Sequence, residues 1–372
     1  MHIGVPREIK DHEYRVGLTP DSVRELVKRG HRVSVESGAG LGIGCEDVEY
    51  RDAGAEIADS AEAVFEAAQM IVKVKEPQPA ECQRLRADQL LFTYLHLAPD
   101  GEQTADLVAS GASCVAYETI TDEHGGLPLL APMSEVAGRL ATQAAAHSLE
   151  KIRGGRGVLM GGVPGVSPAR VVVIGGGVVG ENAITMALGL GADVVVLDRS
   201  VAVLRRLAAR FGPSLRTVYA TASGTEAEVL AADVVIGAVL VAGAETPKLV
   251  SAEQVSRMQT GSVLVDVAID QGGCFETSKP TTHAEPTYVI DGVVHYCVAN
   301  MPGAVPRTSA YALNHATLGH VIALAERGLS AAMADDRHLR NGLNVHAGQV
   351  TCRPVAERHG YDYIAPDQAL AG

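Results

Sequence analysis

The stretch from Arg170 to Asp198 constrains the fold of this chain more than any other part of its sequence. It reads RVVVIGGGVVGENAITMALGLGADVVVLD. The run 171–174 is short, apolar and β-branched, which predicts a strand buried on both faces. A glycine-rich turn follows, then a segment of helical composition over 181–190 and a second buried strand over 193–197. This order of elements predicts a βαβ unit that binds a dinucleotide.

Three glycines of the turn stand in G-x-G-x-x-G spacing, and each has a physical role. Gly175 permits the tight turn, Gly177 lets the backbone approach a pyrophosphate, and Gly180 lets the helix pack closely on the strand. The N-terminus of that helix attracts the phosphates. Asp198 ends the second strand, where a carboxylate binds the adenosine ribose, so NAD is favoured over NADP even with Arg199 beside it. On this pattern alone, the cofactor is a nicotinamide or a flavin dinucleotide.

Composition excludes several classes of protein. With 372 residues, the chain is long enough for two domains. No apolar run reaches membrane-spanning length and the first residues lack a signal-peptide core, so we expect a cytoplasmic protein that does not bind a membrane. The formal net charge of −13 argues against nucleic-acid binding. Six scattered cysteines without a C-x-x-C pair predict reduced thiols and no structural metal.

The first 128 residues alternate strand-like and helix-like segments, which predicts a second doubly wound α/β domain. Strands are expected at 3–5, 31–37, 70–75, 89–97 and 113–118, and helices at 20–29, 61–68 and 102–110. Helices over 134–153 and 309–326 would lead the chain out of this domain and back, with strands between them at 216–220, 233–239, 262–269 and 295–299. The glycine-rich stretch 154–168 is either a flexible linker or an ordered loop. The predicted fold is α/β with two doubly wound domains: a Rossmann dinucleotide-binding domain (129–305) inserted into a discontinuous substrate domain (1–128 and 306–372), with a cleft between them.

Polar residues that end buried strands are the first candidates for chemistry, because ligands of open α/β sheets lie beyond the carboxyl ends of the strands. Lys75 ends IVKVK, His96 ends LLFTYLH and Asp270 ends SVLVDVAID. Lys75 is either an ammonium that binds a carboxylate or a surface lysine beside Glu76. His96 is either a core histidine or a general acid/base. Asp270, which leads into a Gln-Gly-Gly turn, is either a catalytic acid or a turn former.

Three further positions leave a similar choice open. Arg15 either binds a substrate carboxylate or lies on the surface. Ser134 either caps the bridging helix or reaches the cofactor. The VANMP segment at 298–302 either passes its backbone beside the nicotinamide or simply ends a strand. Residue pattern alone does not decide among these alternatives.

Longer blocks of the sequence carry a resemblance to a known family. In chain order they are GVPREIKDHEYRVGLTPDSV, VESGAGLGIG, KVKEP, LFTYLHLA, AYETI, PLLAPMSEVAGRLATQAAA, GRGVLMGGVPGV, VVVIGGGVVG, VIGAVLVAGAETPKLV, VDVAIDQGGCFE and HYCVANMPGAVPRTS. Together they span nearly the whole chain. The sequence resembles the L-alanine dehydrogenases of bacteria.

The resemblance implies an NAD-dependent oxidoreductase that interconverts L-alanine with pyruvate and ammonia, as a homohexamer of two-domain subunits. It implies that Arg15 and Lys75 bind the substrate. It also implies that His96 and Asp270 are catalytic. The cofactor contacts that it implies are Ser134, Gly175, Gly177, Val178, Val179, Gly180, Asp198, Val239, Leu240, Val267, Lys279, Val298, Ala299, Asn300 and Met301.

The chemistry that the resemblance implies suits these residue types. Alanine loses a hydride from Cα, water attacks the resulting iminium, and the carbinolamine collapses to pyruvate and ammonia. Lys75 and Arg15 would fix the carboxylate and the developing oxygen. His96 would move protons at that oxygen, and Asp270 would bind the amine from the facing domain, so domain closure would complete the site.

The chain departs from the family's pattern at four positions. Val203 stands where many members have a lysine, and Ala220 where a cofactor-side serine is usual. These changes would weaken adenosine binding without altering the reaction. Ala323 and Arg327 replace an acid and a histidine that hold magnesium in some members, so we predict no metal.

Other interpretations compete with this one. The NAD-binding subunit of proton-translocating transhydrogenase shares the glycine-rich regions, but that family lacks a histidine at position 96 and departs from KVKEP. Opine dehydrogenases of the saccharopine type lack the AIDQGGCFE block. A sensor that binds NADH without turnover is disfavoured because the four residues expected to bind and transform substrate are all present.

Overall fold

The computed structural model describes residues 1–239 and 246–371. The strands are β1 His2–Val5, β2 Arg32–Glu36, β3 Glu56–Ala58, β4 Met70–Val72, β5 Leu90–Thr93, β6 Ser113–Ala116, β7 Arg170–Ile174, β8 Asp193–Asp198, β9 Leu215–Tyr219, β10 Val234–Gly237, β11 Val263–Asp266, β12 Thr287–Ile290, β13 Val293–Tyr296, β14 Leu343–His346 and β15 Gln349–Val350. The helices are α1 Pro20–Lys28, α2 Asp47–Asp52, α3 Ala61–Ala67, α4 Pro79–Cys82, α5 Gly101–Ser110, α6 Ala131–Ser148, α7 Val178–Gly189, α8 Val201–Phe211, α9 Ala222–Ala231, α10 Ala252–Ser256, α11 Pro306–Asp335, α12 Arg337–Arg340, α13 Arg353–His359 and α14 Pro366–Ala369.

The chain forms two compact units, which are described separately below. Unit 1 contains Met1–Met133 and Val305–Gly372, and unit 2 contains Ser134–Ala304. Each unit has one sheet that is mostly parallel and is covered by helices. The predicted α/β class with two doubly wound sheets is confirmed.

The sheet of unit 1 has the strand order β15-β14-β6-β5-β4-β1-β2-β3. Strands β1 to β6 run parallel, whereas β14 is antiparallel to β6 and β15 is antiparallel to β14. The order reverses between β1 and β4, so the carboxyl ends of these two strands form a topological switch point, the usual ligand site of open α/β sheets. Residues that follow β1 and β4 are therefore placed to bind a ligand.

The strands of unit 1 are shorter than the sequence pattern predicts. We expected strands at 70–75 and 89–97, but β4 ends at Val72 and β5 ends at Thr93. Lys75 and His96 each lie three residues beyond a strand end, in the loops at the sheet's carboxyl edge. The predicted strands are too long because the loop residues Val74, Tyr94 and Leu95 are as buried as the strand residues. Strands β3, β14 and β15 were not expected.

The sheet of unit 2 has the order β12-β13-β11-β10-β7-β8-β9, and β12 alone among these described strands runs antiparallel to its neighbour. Its switch point lies between β7 and β10. A strand was predicted at 295–299, but the observed strand β13 begins at Val293 and ends at Tyr296. Helices α8, α9 and α10 were not assigned from the sequence.

Helix ends follow local chemistry where the signals are strong. Thr19 caps α1 by accepting the N–H of Ser22, with Pro20 in the first position, as the sequence predicts. Helix α6 begins at Ala131, so Ser134 lies inside its first turn and is not its cap. Helix α11 is longer than the predicted 309–326 and contains one break at Gly328, whose φ of 74° is non-helical.

Two further observations concern the whole described chain. No helix within residues 1–239 and 246–371 is long and apolar enough to cross a membrane. The six cysteines carry free thiols, and burial raises the pKa of Cys82 to about 12, which makes that thiol a poor nucleophile.

Candidate active site and dinucleotide site

Arg15 of unit 1 is held in place by a carboxylate two residues before it. The Arg15 side chain is only 2% exposed, although an isolated arginine in a loop is usually a surface residue. Its Nε donates to Glu13 Oε1 at 2.7 Å and its Nη2 to Glu13 Oε2 at 2.5 Å. Its Nη1 lies 3.0 Å from the sulfur of Met133. One edge of the guanidinium is therefore fixed by a bidentate ion pair, which orients the whole group.

A buried trio of charges lies at the switch point between β1 and β4. Lys73 is fully buried, and its Nζ lies 2.9 Å from Glu8 Oε2 and 2.8 Å from Glu81 Oε1. Burial opposes the charge of Lys73, but the two carboxylates raise its pKa above the ordinary value. Burial raises the pKa of Glu8, while Lys73 acts in the opposite direction. The trio joins the segment after β1 to the segment after β4.

Glu8 also binds the backbone that carries Lys75. Its Oε1 accepts the N–H of Val74 at 2.6 Å and lies 3.4 Å from the N–H of Lys75. The carbonyl of Lys75 accepts the hydroxyl of Thr93 at 2.9 Å. Lys75 is thus presented from a loop whose backbone is bonded on both sides.

The ammonium of Lys75 is mostly buried and faces an acidic neighbour. Its Nζ lies 3.8 Å from Glu76 Oε2, and Glu76 is also bound by Lys10. Burial would raise the pKa of Glu76, but Lys75 and Lys10 together hold it below the ordinary value. A mostly buried cation of this kind is suited to bind a carboxylate or to polarise a carbonyl.

His96 differs from the other candidates because its imidazole is 44% exposed. Its backbone has φ of +50°, in the left-handed region that residues with a Cβ seldom adopt. The ring stacks on Tyr94 with centroids 5.7 Å apart and an interplanar angle of 8°. Tyr94 is buried and donates its hydroxyl to the carbonyl of Leu129 at 2.6 Å. A solvent-accessible imidazole on a fixed aromatic platform can exchange protons with a ligand.

The glycine loop of unit 2 has the geometry that its spacing predicts. Gly175 has φ of +99°, and a Cβ there would lie 2.7 Å from the carbonyl oxygen of Ala238. A Cβ on Gly180 would lie 1.9 Å from the carbonyl oxygen of Gly175, so helix α7 can approach the strand only without a side chain there. A Cβ on Gly177 would meet no described atom within 4 Å, so the backbone there is open on one side.

Asp198 ends β8 and is bonded to two backbone amides. One oxygen accepts the N–H of Gly176 at 2.7 Å, and the other accepts the N–H of Ser200 at 2.7 Å. The carbonyl of Asp198 accepts the N–H of Ala220 at 3.0 Å, so Ala220 lies beside the acid. Arg206 of α8 donates to the carbonyl of Gly176 at 2.9 Å. Each carboxylate oxygen retains a lone pair that a ribose hydroxyl could use.

Asp270 is exposed in a short 3₁₀ turn, Ile269–Gln271, and not at a strand end. Four residues earlier, Asp266 ends β11 and is fully buried. Its oxygens accept the N–H of Ala268 at 3.1 Å, the N–H of Cys274 at 2.8 Å and the hydroxyl of Ser278 at 2.5 Å. Asp266 therefore bonds the chain on both sides of Asp270 and holds the turn that carries it.

The other cofactor candidates fall around the carboxyl edge of the unit 2 sheet. Val178 and Val179 begin α7, Val239 follows β10 and Val267 follows β11. Val298, Ala299, Asn300 and Met301 follow β13, with Asn300 at φ of +60° and its carbonyl 3.1 Å from the Nε2 of His283. Lys279 is exposed, and its N–H donates to Tyr288 at 2.7 Å. Leu240 lies outside the described residues.

The arrangement of possible metal ligands can be examined only in the described part of the chain. Within residues 1–239 and 246–371, no group of three or more His, Cys, Asp or Glu side chains could hold a metal ion. Ala323 and Arg327 lie in α11, and Arg327 pairs with Asp335.

Sequence reasoning missed the residues that hold the candidates in place. Glu8, Lys73, Glu118 and Asp266 are buried or nearly so, and all four contact backbone or charges of the candidate loops. Lys73 stands in the KVKEP block, and Asp266 stands in the VDVAIDQGGCFE block. Glu8 and Glu118 likewise stand in the GVPREIKDHEYRVGLTPDSV and AYETI blocks, and position within such a block was the one sequence signal that pointed to these four residues.

Comparison with known proteins adds independent observations. The family model described as "Alanine dehydrogenase/PNT, N-terminal domain" matches residues 4–137, and the corresponding C-terminal domain matches residues 141–353. The chain is 61% identical to an alanine dehydrogenase of Halomonas elongata over 364 residues, which cover 98% of each chain. It is 52% identical to an alanine dehydrogenase of Mycolicibacterium smegmatis over 371 residues, which cover 100% of each.

Solved structures agree with these matches. An L-alanine dehydrogenase structure superimposes with a TM-score of 0.94 at 51% identity, covering 97% of this chain and 99% of the other. A transhydrogenase of Sinorhizobium meliloti superimposes with a TM-score of 0.81 at 24% identity, covering 95% and 99%. The second match shows only that the fold is shared.

Proposed function

The chain belongs to the alanine dehydrogenase/PNT family, and we infer from this membership that it catalyses the NAD-dependent oxidative deamination of L-alanine to pyruvate and ammonia. The resemblance stated from the sequence is confirmed. The full-length identity to alanine dehydrogenases is the observation that carries this conclusion, because the transhydrogenase match has less than half that identity. The chain is therefore an oxidoreductase that acts on a CH–NH₂ group.

We propose NAD as the cofactor, and the residues of unit 2 fit it. The open backbone at Gly177, followed by the N-terminus of the twelve-residue helix α7, suits a pyrophosphate. Asp198 would bind the ribose and would disfavour a 2′-phosphate by charge repulsion. Val178, Val179, Val239, Val267, Lys279 and the segment 298–301 complete the proposed contacts. When bound, NAD supplies the acceptor for the hydride that leaves Cα of alanine.

In this proposal, Arg15 and Lys75 bind and orient the substrate. Arg15 would bind the carboxylate with a guanidinium whose opposite edge is already fixed by Glu13. Lys75 would stabilise the negative charge that develops on the Cα oxygen after water attack. Because both cations are held by surrounding groups in the free protein, little orientation entropy remains to be lost when the substrate binds.

His96 and Asp270 are the proposed acid/base groups. His96 would accept a proton from the attacking water. During carbinolamine collapse the hydroxyl loses its proton as its oxygen becomes the carbonyl of pyruvate, and the protonated nitrogen leaves as ammonia; His96 would carry the protons between these groups. Asp270 would bind the amine and later the ammonia. The exposure of both side chains in their own units supports the assignment, because a group that exchanges protons must be reachable.

The family resemblance also supports a homohexamer located in the cytoplasm, with L-alanine, pyruvate and ammonia as its small-molecule partners. Specificity for alanine over 2-aminobutyrate, which is one methylene larger, depends on discrimination of about 1–3 kcal/mol, and serine differs from alanine by a hydroxyl that an apolar pocket does not strongly reject. We propose alanine as the preferred substrate on the strength of the relatives' activity.

The first experiment measures absorbance in the NADH band with purified protein, NAD and L-alanine at alkaline pH. We expect a rise that requires both L-alanine and NAD. Reactions with D-alanine, L-serine and NADP serve as controls for stereochemistry, side chain and cofactor. Absence of a rise, in protein that binds NADH, would overturn the proposed reaction and leave an NADH sensor as the better interpretation.

A further inference from the structure

The backbone of His96 is held in a disfavoured conformation by the side chain of Glu118, from the turn that follows the neighbouring strand β6. The left-handed φ of His96 persists only if its surroundings hold it there. Glu118 Oε1 accepts the N–H of His96 at 2.6 Å. The same carboxylate lies 3.2 and 3.3 Å from the N–H of Leu95. One side chain therefore binds two consecutive amides at the point where the chain turns.

Other contacts hold the remainder of this loop. The carbonyl of Leu95 accepts the side-chain amide of Gln103 at 3.0 Å. The N–H of Tyr94 donates to the carbonyl of Val74 at 3.2 Å. The loop is thus bonded to helix α5 and to the segment after β4, and Glu118 supplies the bonds nearest to His96.

The position of Glu118 follows from the sheet. It lies in the 3₁₀ turn Tyr117–Thr119, directly after β6, and β6 pairs in parallel with β5. The side chain of Glu118 is mostly buried. The adjacent Tyr117 is fully buried, and its hydroxyl donates a hydrogen bond to the carbonyl of Lys73. Burial of this side chain beside a buried tyrosine restricts the positions that its oxygens can take.

Glu118 could contact His96 at its imidazole ring or at its backbone N–H, and the two distances differ. Its Oε1 lies 3.9 Å from Nδ1 of the imidazole, beyond hydrogen-bond range. The same oxygen lies 2.6 Å from the backbone nitrogen of His96. The hydrogen bonds of Glu118 in this loop are therefore made to backbone amides and not to the ring of His96.

We propose that Glu118 is a positioning residue for His96. By accepting the amides of Leu95 and His96, it fixes the left-handed turn that places the imidazole against Tyr94. This inference rests on the proposed function, since it requires His96 to exchange protons with the substrate. It assigns the effect of Glu118 to the position of its acceptor oxygens and not to its charge, and the variants below separate the two.

The test compares two conservative variants that separate reach from charge. Glu118→Gln keeps an acceptor oxygen at the same reach without charge, whereas Glu118→Asp keeps the charge but shortens the side chain by one methylene. We expect E118Q to retain kcat within about threefold. We expect E118D to lose kcat by about 10- to 100-fold, because small misplacements of a catalytic group cost this much. Equal losses in both variants, or full activity of E118D, would overturn the proposal.

Matched controls and a second measurement exclude a general effect on folding. Glu123→Gln and Glu123→Asp alter an exposed carboxylate five residues away and are expected to leave kcat unchanged. The Kd for NADH is expected to stay the same in all four variants, because Glu118 belongs to unit 1 and the dinucleotide residues belong to unit 2. A large change in NADH affinity of E118D would count against a local role.

A double-mutant cycle distinguishes failure of this inference from failure of the proposed function. If Glu118 acts through His96, adding E118D to His96→Ala lowers the residual kcat no further. A further loss of about tenfold in the double variant would overturn the inference. If His96→Ala alone keeps most of its turnover, the proposed role of His96 is itself wrong, whatever the Glu118 variants show.

Discussion

The carboxylate of Asp198 accepts the backbone N–H of Gly176 at 2.7 Å, so the acid at the end of β8 is bonded to the glycine loop at the end of β7. Its second oxygen accepts the N–H of Ser200. The acid expected to bind the ribose therefore also fixes the loop expected to bind the pyrophosphate, and the two halves of the dinucleotide site are linked in the free protein.

Replacing Asp198 should consequently affect both affinity and cofactor choice. Asp198→Asn cannot accept both amides and has no charge, so we expect NADH affinity to fall by about tenfold or more. The preference for NADH over NADPH should also shrink. Fluorescence titration with both cofactors measures this, and Asp193→Asn, at the exposed start of the same strand, is the control. An unchanged preference for NADH over NADPH in D198N would contradict the role assigned to the charge of Asp198.

Gly180 should tolerate no side chain. In Gly180→Ala the new Cβ would stand 1.9 Å from a backbone oxygen, so α7 must move away from the sheet. We expect a lower thermal midpoint and loss of NADH binding. Gly189→Ala, at the other end of α7, meets no described atom within 4 Å and is expected to be neutral or to stabilise by up to about 1 kcal/mol. Equal thermal midpoints and equal NADH binding in the two variants would refute the close approach of α7 to the sheet.

Lys73 should be essential for the stability of unit 1. Lys73→Met leaves Glu8 and Glu81 buried without a cation, which costs about 3–5 kcal/mol. The thermal midpoint should fall on the order of 10 °C, and the KM for pyruvate should rise because Glu8 also holds the Lys75 loop. Lys151→Met, on an exposed lysine, controls for loss of one positive charge. A normal midpoint for K73M would show that these ion pairs do not form.

Glu228 should make a contribution to the free energy of unfolding that depends on pH. Its hydrogen bond with Arg216, together with Arg170, lowers its pKa below the ordinary value. A lowered carboxyl pKa stabilises the folded state at neutral pH, and that stability is lost as the pH falls through the folded-state pKa. Glu228→Gln should therefore lower the thermal midpoint at pH 7, by an amount equivalent to about 1 kcal/mol for this partly exposed network.

Thermal scans across the acid range test the second half of that prediction. The difference between parent and E228Q should narrow progressively below about pH 5. Glu253→Gln, on an exposed carboxylate of α10, should show no such convergence. A difference that stays constant with pH would mean that the effect of E228Q comes from packing.

His96→Ala should abolish most turnover while leaving NADH binding intact. General acid/base groups typically contribute 10²- to 10⁴-fold, so a loss in kcat of that order is expected. Stopped-flow or steady-state NADH formation measures it. His124→Ala, on an exposed histidine of unit 1, should behave like the parent. Retention of most activity in H96A would require another proton carrier.

The geometry of the glycine loop in unit 2 could be predicted because its determinants are local in sequence. Gly175, Gly180 and Asp198 act through turn geometry, close packing and a strand end, which are all visible within one βαβ stretch. By contrast, Arg15 has no local sign of burial, and the sequence pattern alone left open whether it binds a ligand or lies on the surface. Its burial results from tertiary packing.

The supporting residues could not be found in this way because their partners are distant in the chain. Glu8 binds residues near position 74, and Glu118 binds residues 95 and 96. Buried Tyr94 and Leu95 extended the apparent strand to His96, although the sheet ends at Thr93. Hydrophobic pattern reports burial, and it does not separate a buried loop from a strand.

The pairing of β14 with β6 has a consequence for biosynthesis. Val115 of β6 pairs with Leu343 of β14, and all of unit 2 is encoded between them. As the chain leaves the ribosome, the outer edge of β6 has no neighbour until β14 emerges, which takes on the order of 10–50 s at about 5–20 residues per second. Unit 2 is continuous and can fold during that interval. The nascent chain therefore has an open sheet edge for much of its translation, and such an edge can pair with another chain.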